Sequence, residues 1–175
     1  IMLLDIWKEF NKKFPQNEYL LQIIGSGEEK ENIISYIEEN KIKNVELIPH
    51  TSKIEEYYRE AELFVFTSKM EGFGMVLLEA MSYGIPCISF DCPSGPRDII
   101  NNEVNGFLVP CYDKSKFSNY IYKYVTSNQS IKENFSRGAK ETIIQWDNNE
   151  IINKWVDVFR KIGWEFLDSM NYNFW

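Results

Sequence analysis

Along the chain, short apolar runs alternate with stretches in which apolar residues return every three or four positions. The runs at 19–24, 45–48, 63–66, 87–90 and 107–109 are rich in β-branched and aromatic residues and bounded by Gly, Pro, Asn or Asp, the pattern of buried strands. Between them lie helical spacings: one from the start of the chain to Phe14-Pro15, one at about 28–40, one at about 52–61, and one following Gly74 through Val76, Leu77, Ala80 and Met81. From Asp113 onward the pattern is wholly helical. Asp113 or Ser115 is placed to cap a helix that buries Phe117, Ile121 and Tyr124, and Ser130 starts another through Phe135 and Ala139. Strands alternating with helices predict an α/β fold, a Rossmann-like parallel sheet with helices on both faces, in a single domain over 1–175. Residues 145–175 form its C-terminal helical segment, with Trp146, Ile151, Ile152, Trp155, Val158, Phe159, Ile162 and Phe166 at near-helical spacing.

Composition narrows the partners. A net charge of −7 and a pI near 4.9 argue against nucleic acid, whose backbone needs clustered Lys and Arg. Cys87, Cys92 and Cys111 lack zinc-type spacing and read as reduced thiols of a cytoplasmic protein, and no Asp-x-Asp or other metal cluster is visible, so neither metal nor cofactor is expected. No apolar run is long enough to span a membrane, which leaves peripheral membrane contact open.

The chemistry concentrates in 62–84. There a predicted strand ends in Glu71-Gly72-Phe73-Gly74 and a helix begins. The first-turn amides of that helix lack partners within it and, with the helix dipole, favour an anion. Glu71 precedes the glycines, and Glu79 lies about 7 Å up the axis, its side chain leaning back toward the N-terminus. A carboxylate beside a bound phosphate repels it, so both glutamates suit hydroxyl groups instead. Hydroxyls on either side of a diphosphate describe a nucleoside diphosphate sugar.

Glu71-Gly72-Phe73-Gly74 with Glu79-Ala80-Met81 and Gly84-Ile85-Pro86 resembles the signature of glycosyltransferase family 4, retaining enzymes of the two-domain GT-B fold, whose paired glutamates form an E-x7-E motif. Gly25-Ser26-Gly27, 95–100 and 105–109 extend the likeness over roughly 1–127. It implies that the chain is the donor-binding, C-terminal half of a hexosyltransferase using a nucleoside diphosphate sugar, with uracil the expected base and a hexose or N-acetylhexosamine the expected sugar. The product class it implies is a surface polysaccharide or glycoconjugate. It further implies a preceding strand, a diphosphate-gripping Arg and Lys, and an N-terminal acceptor-binding domain, all expected upstream of residue 1, so that the segment alone is expected to be inactive. In the implied roles Glu71 contacts the donor sugar at the catalytic centre and Glu79 holds the ribose. The amides of Phe73, Gly74, Met75 and Val76, with Gly72, receive the diphosphate, and Gly25 and the Pro49-His50-Thr51 loop border the nucleobase.

Other readings stand beside these. A lone G-x-G serves tight strand-to-helix turns as often as ligands. His50, the one histidine, has no Ser, Cys or Asp pattern to complete a triad. Lys69 is either a phosphate contact or an exposed loop lysine, and Arg97 either a cation in the sugar pocket or a surface partner of Asp98 or Glu103. The C-terminal aromatics, ending in Tyr172, Phe174 and Trp175, fit this domain's own core, an absent N-terminal domain or a membrane interface equally. A nucleotide-sugar epimerase of the same architecture and a non-catalytic binding domain are the rival functions.

Overall fold

The computed structural model describes residues 1–162. In chain order the elements are α1 (Met2–Lys13), β1 (Leu21–Ile24), α2 (Lys30–Glu39), β2 (Val45–Ile48), α3 (Ile54–Glu60), β3 (Phe64–Phe66), α4 (Met75–Ser82), β4 (Cys87–Phe90), α5 (Pro96–Ile99), β5 (Gly106–Val109), α6 (Lys114–Val125), α7 (Gln129–Gln145) and α8 (Asn148–Lys161). All five expected strands are present within two residues of their predicted bounds. The first is shorter than expected because the Tyr19 amide bonds to the Asn17 side chain (3.1 Å), and pairing starts at Leu21, whose amide reaches the Asn44 carbonyl. Helix α5 was not anticipated, since four residues behind Gly95-Pro96 carry no periodicity.

Every strand pair is parallel. β1 pairs with β2, and β3, β4 and β5 form a second ladder in that order, with β4 central and buried along its whole length. No ladder joins β1 to β3. Both groups are nonetheless built on one core. α1 and α6 cover one face, where Leu4, Ile6, Trp7 and Phe10 meet Leu21, Ile88, Phe90, Val109, Phe117 and Ile121. On the other face α3, α4 and α7 close over Leu77, Ala80, Met81, Cys87 and Ile99. Each large side chain fully buried in these two layers contributes about 1.5–3 kcal/mol, which is why the helices lie flat on the sheet.

Polar anchors fix the arrangement. The Trp7 indole donates to the Lys43 and Asn44 carbonyls, both at 3.0 Å, and the Tyr19 phenol to that of Val125 at 3.2 Å, tying the first ladder to α1 and α6. Asp113 is the cap of α6, accepting from the Lys116 amide at 2.9 Å, and Asn128 rather than Ser130 caps α7. In α8 none of the described side chains is buried, and Ile152, Trp155 and Val158 are exposed, so the expectation that this helix covers the domain's own core does not hold for 149–162. Phe166, Tyr172, Phe174 and Trp175 lie outside the described residues.

Candidate functional site

In parallel α/β sheets ligands sit beyond the carboxyl ends of the strands, and the predicted residues gather there. Beyond β1 and β2 lies a cavity of about 210 Å³ with an apolar floor of Ile23, Ile33, Leu47 and Ile48, rimmed by Gly25, Ser26, Gly27 and Pro49 and by Glu29 and Lys30 at the start of α2. A Cβ at Gly25 or Gly27 would meet nothing within 4 Å, so these glycines leave open space above the floor. Gly25 and Pro49 are thus brought together. His50 is exposed and Thr51 half-buried in the loop that follows, Thr51 accepting from the Lys53 amide at 3.0 Å, and neither lines the cavity. Sequence reasoning did not single out Glu29 and Lys30; their place directly behind a strand and a glycine turn was the available signal.

The second group surrounds the turn after β3. Gly74 is in the left-handed conformation (φ 89°, ψ 46°), and it swings the chain into α4. The first amide bonded at this end is that of Leu77, to the Gly74 carbonyl at 2.9 Å; among the described residues no acceptor meets the amides of Phe73, Gly74, Met75 or Val76. Gly72 is exposed and unobstructed. The turn is braced from behind. The Phe73 ring packs edge-on against Trp146 with centroids 4.9 Å apart, and Gly95 at the head of α5 lies directly on the Phe73 backbone.

The two glutamates flank this turn on different sides. Glu79, exposed on α4, accepts a hydrogen bond from the Tyr58 phenol of α3 at 3.3 Å, which draws it toward the element that follows the Pro49-His50-Thr51 loop. Burial first, and then the neighbouring Glu79 charge, push the Tyr58 phenol up to about 12, so it remains a donor. Glu71 is half-buried, and in the loop after β4 burial raises the Cys92 thiol, with the Cys111 and Glu71 charges pushing it the same way. Glu71, the open amides and Glu79 thus follow one another along the turn and the first turns of α4, while the cavity lies beyond β1 and β2 and the 91–97 loop follows β4.

Of the two cations singled out, Arg97 differs from its expected places, whereas Lys69 is exposed in the loop after β3, as its second reading had it. Arg97 pairs with Asp91 at 3.0 Å, not with Asp98 or Glu103; Asp98 instead accepts from the Gly95 amide, and Glu103 binds Lys123 at 2.5 Å. Asp91 wins because it terminates β4 on the same side of the loop as the guanidinium. Lys69 lies over the Tyr112 ring, 5.3 Å from its centroid. All three cysteines are free thiols. Among the described residues no three His, Cys, Asp or Glu side chains stand together as a metal site, and no helix is long and apolar enough to cross a membrane.

A family model described as "Glycosyl transferases group 1" matches residues 2–142. Among curated proteins, the amylovoran biosynthesis glycosyltransferase AmsD of Erwinia amylovora is 34% identical over 157 residues, 89% of this chain and 43% of its own length. The poly(ribitol-phosphate) alpha-N-acetylglucosaminyltransferase of Staphylococcus aureus is 29% identical over 160 residues, 90% of this chain and 32% of its own. Among solved structures, that of TarM superposes with a TM-score of 0.82 at 29% identity, over 90% of this chain and 32% of TarM. The pneumococcal O-GlcNAc transferase GtfA, solved in complex with UDP and GlcNAc, superposes with a TM-score of 0.77 at 25% identity, over 92% of this chain and 32% of GtfA. The chain thus spans between about a third and two-fifths of the length of these relatives.

Proposed function

The chain belongs to the glycosyl transferases group 1 family, and on that premise we propose that it is the donor-binding half of a retaining, family 4 transferase. The reaction we assign is transfer of a hexose or N-acetylhexosamine from a nucleoside diphosphate sugar, with uracil the favoured base, to an acceptor hydroxyl in surface polysaccharide or glycoconjugate synthesis. The observation that carries this reading is the turn into α4, where four open amides stand between two carboxylates, Glu71 before them in the chain and Glu79 after them; the apolar cavity beyond β1 and β2 supports it.

Each part meets one part of the donor. The floor of Ile23, Leu47 and Ile48 suits a flat base, with Pro49 at its rim; the backbone of His50 and Thr51 would reach the base only from the loop that follows. Glu79 accepts from ribose hydroxyls. The amides of Phe73, Gly74, Met75 and Val76 hold the diphosphate, and they stabilise the charge that grows on it as the glycosidic bond breaks. Glu71, at the catalytic centre, accepts from hydroxyls of the transferred sugar. In this reading the departing diphosphate helps take the acceptor proton on the same face, which gives retention. The relatives support the donor class, since one neighbour was solved with UDP and GlcNAc and another, a mutant of S. aureus TarM, with UDP. We place the reaction in the cytoplasm, where the three free thiols would stay reduced.

The partner of this half is an acceptor-binding domain of the same enzyme, and a segment between the two would supply a further strand and the Arg and Lys for the diphosphate. On that account the 175-residue segment alone folds but transfers nothing. The test is a screen of nucleotide sugars against the full-length protein by thermal shift, followed by product analysis. Stabilisation by uridine diphosphate sugars and transfer lost in Glu71→Gln are expected. Epimerised donor without transfer, or no stabilisation by any nucleotide, would replace the reading with an epimerase or a non-catalytic domain.

A further inference from the structure

Glu79 is oriented by a residue that no part of the transfer reaction touches. Its carboxylate lies on an exposed helix face, where a glutamate ordinarily samples several rotamers. Here Oε2 is met by the phenol of Tyr58, which sits 21 positions earlier and one element away. That phenol is itself fixed. Its ring is 9% exposed, stacks on Tyr83 at 5.4 Å, leans on Phe64 at 6.2 Å, and is packed in the core with Leu77 and Met81. The stack is closed from outside by Arg59, whose guanidinium lies 5.7 Å from the Tyr83 centroid and is tethered to Glu55 at 2.8 Å. A donor held in place on one oxygen narrows the rotamers open to Glu79 and leaves Oε1 and the remaining lone pairs to accept from other donors.

We propose that Tyr58 is a positioning residue that aims Glu79 at the ribose hydroxyls of a nucleoside diphosphate, and that this pair makes the site select ribonucleotides over deoxyribonucleotides. The inference rests on the assignment of Glu79 to the ribose. The physical basis is that a carboxylate built to accept from a ribose hydroxyl is left without its partner when the hydroxyl is missing, and the discrimination is only as sharp as the carboxylate is fixed. Because burial and the Glu79 charge hold the phenol in its protonated form, the aim does not lapse around neutral pH. Tyr58 touches Glu79 and not the nucleotide, so its removal should act through that one interaction.

The test is titration of uridine diphosphate and 2′-deoxyuridine diphosphate into the full-length protein, in wild type, Tyr58→Phe, Glu79→Gln and the double variant. Phenylalanine keeps the ring stack, and thermal unfolding checks that the fold is retained. Tyr58→Phe should reduce the preference for the ribonucleotide by roughly 3–10-fold while leaving deoxynucleotide affinity unchanged. Glu79→Gln should remove the preference, and the double variant should fall no further than Glu79→Gln alone. Equal weakening of both nucleotides, or no change, in Tyr58→Phe alongside a lost preference in Glu79→Gln overturns the positioning role and leaves the ribose assignment standing. A preference that survives Glu79→Gln removes that assignment, and the positioning role with it.

Discussion

The α-carbon of Gly95 rests on the carbonyl of Phe73, so closely that a Cβ at 95 would overlap that oxygen. The contact binds the loop after β4 to the turn after β3, and Gly95 is also held at φ 84°, ψ −74°, a conformation closed to L side chains. Gly95→Ala should therefore destabilise the domain by about 2–3 kcal/mol, read as a lower urea midpoint, and should push the Phe73 amide off its present line. An unchanged midpoint would mean that the two loops separate without cost.

Asn105 makes a second test of close packing. It is 1% exposed; its amide donates to the Ile99 carbonyl (3.0 Å) and the Thr142 hydroxyl (2.7 Å), and its Oδ1 accepts from the Asn101 amide (2.8 Å). Those bonds join the end of α5 to α7 behind the site. Asn105→Ala removes three hydrogen bonds, the one to Ile99 fully buried and the other two partly so, and should cost about 2–3 kcal/mol in denaturant unfolding, whereas Asn102→Ala, exposed and holding only the Leu108 amide, should cost under about 1 kcal/mol. Equal costs would deny Asn105 its role as a bracket.

These residues show where the sequence was legible. The strands and their places along the chain were, because apolar runs between breakers have few other uses. So was the Glu71–Glu79 segment as a strand, a glycine turn and a helix start, because the apolar spacing changes period across its glycines. Asn105-Gly106 bounds the last apolar run in the sequence, and the structure does place Asn105 in a turn; what the sequence hid is that Asn105 is a buried bracket and that Gly106 already lies inside β5, where a Cβ would strike the Cys87 carbonyl in the paired register. Tyr58, Trp146 and Gly95 act on the site from 21, 73 and 22 positions away from Glu79 or Phe73, and a single chain carries no sign of which distant side chains will meet. The Arg97–Asp91 pair was missed for the same reason: it depends on how β4 ends, not on which acids are nearest in sequence.

Acid should loosen the attachment of α1. Partial burial of Asp5 opposes its ionisation, but hydrogen bonds from Lys114 (2.6 Å) and Tyr36, with the Lys114 charge, outweigh it and hold the carboxyl below its ordinary range. A carboxylate whose pKa is lower when folded adds stability that is complete above the unfolded value and is lost as pH falls through the folded one. Between about pH 5 and pH 2, wild-type unfolding free energy should fall more steeply than that of Asp5→Asn, by roughly 0.5–1 kcal/mol in all. Parallel curves for the two proteins would place the acid sensitivity elsewhere, with Glu9, similarly lowered against its own burial by Lys13, the next carboxylate to change.

Two tryptophans nine positions apart should behave in opposite ways. Trp146 closes α7 with its ring against Phe73, inside the cluster that supports the turn, while Trp155 on α8 is 59% exposed and stacks on Phe159 of its own helix. Trp146→Ala removes an edge-to-face pair and leaves Phe73 without its brace. We expect a loss of roughly 1–3 kcal/mol in the 175-residue chain and, in the full-length protein, weaker binding of uridine diphosphate. Trp155→Ala takes nothing from this domain's core, so the same chain should unfold within about 0.5 kcal/mol of wild type. Half-buried Ile151 and exposed Trp155, Val158 and Ile162 then form an apolar stripe outside the core built by the described residues. If α8 packs on the acceptor-binding domain, Trp155→Ala should lower the unfolding temperature of the full-length protein alone. A loss already present in the 175-residue chain would return that face to this domain, and equal stability in both lengths would free it for a membrane or another partner.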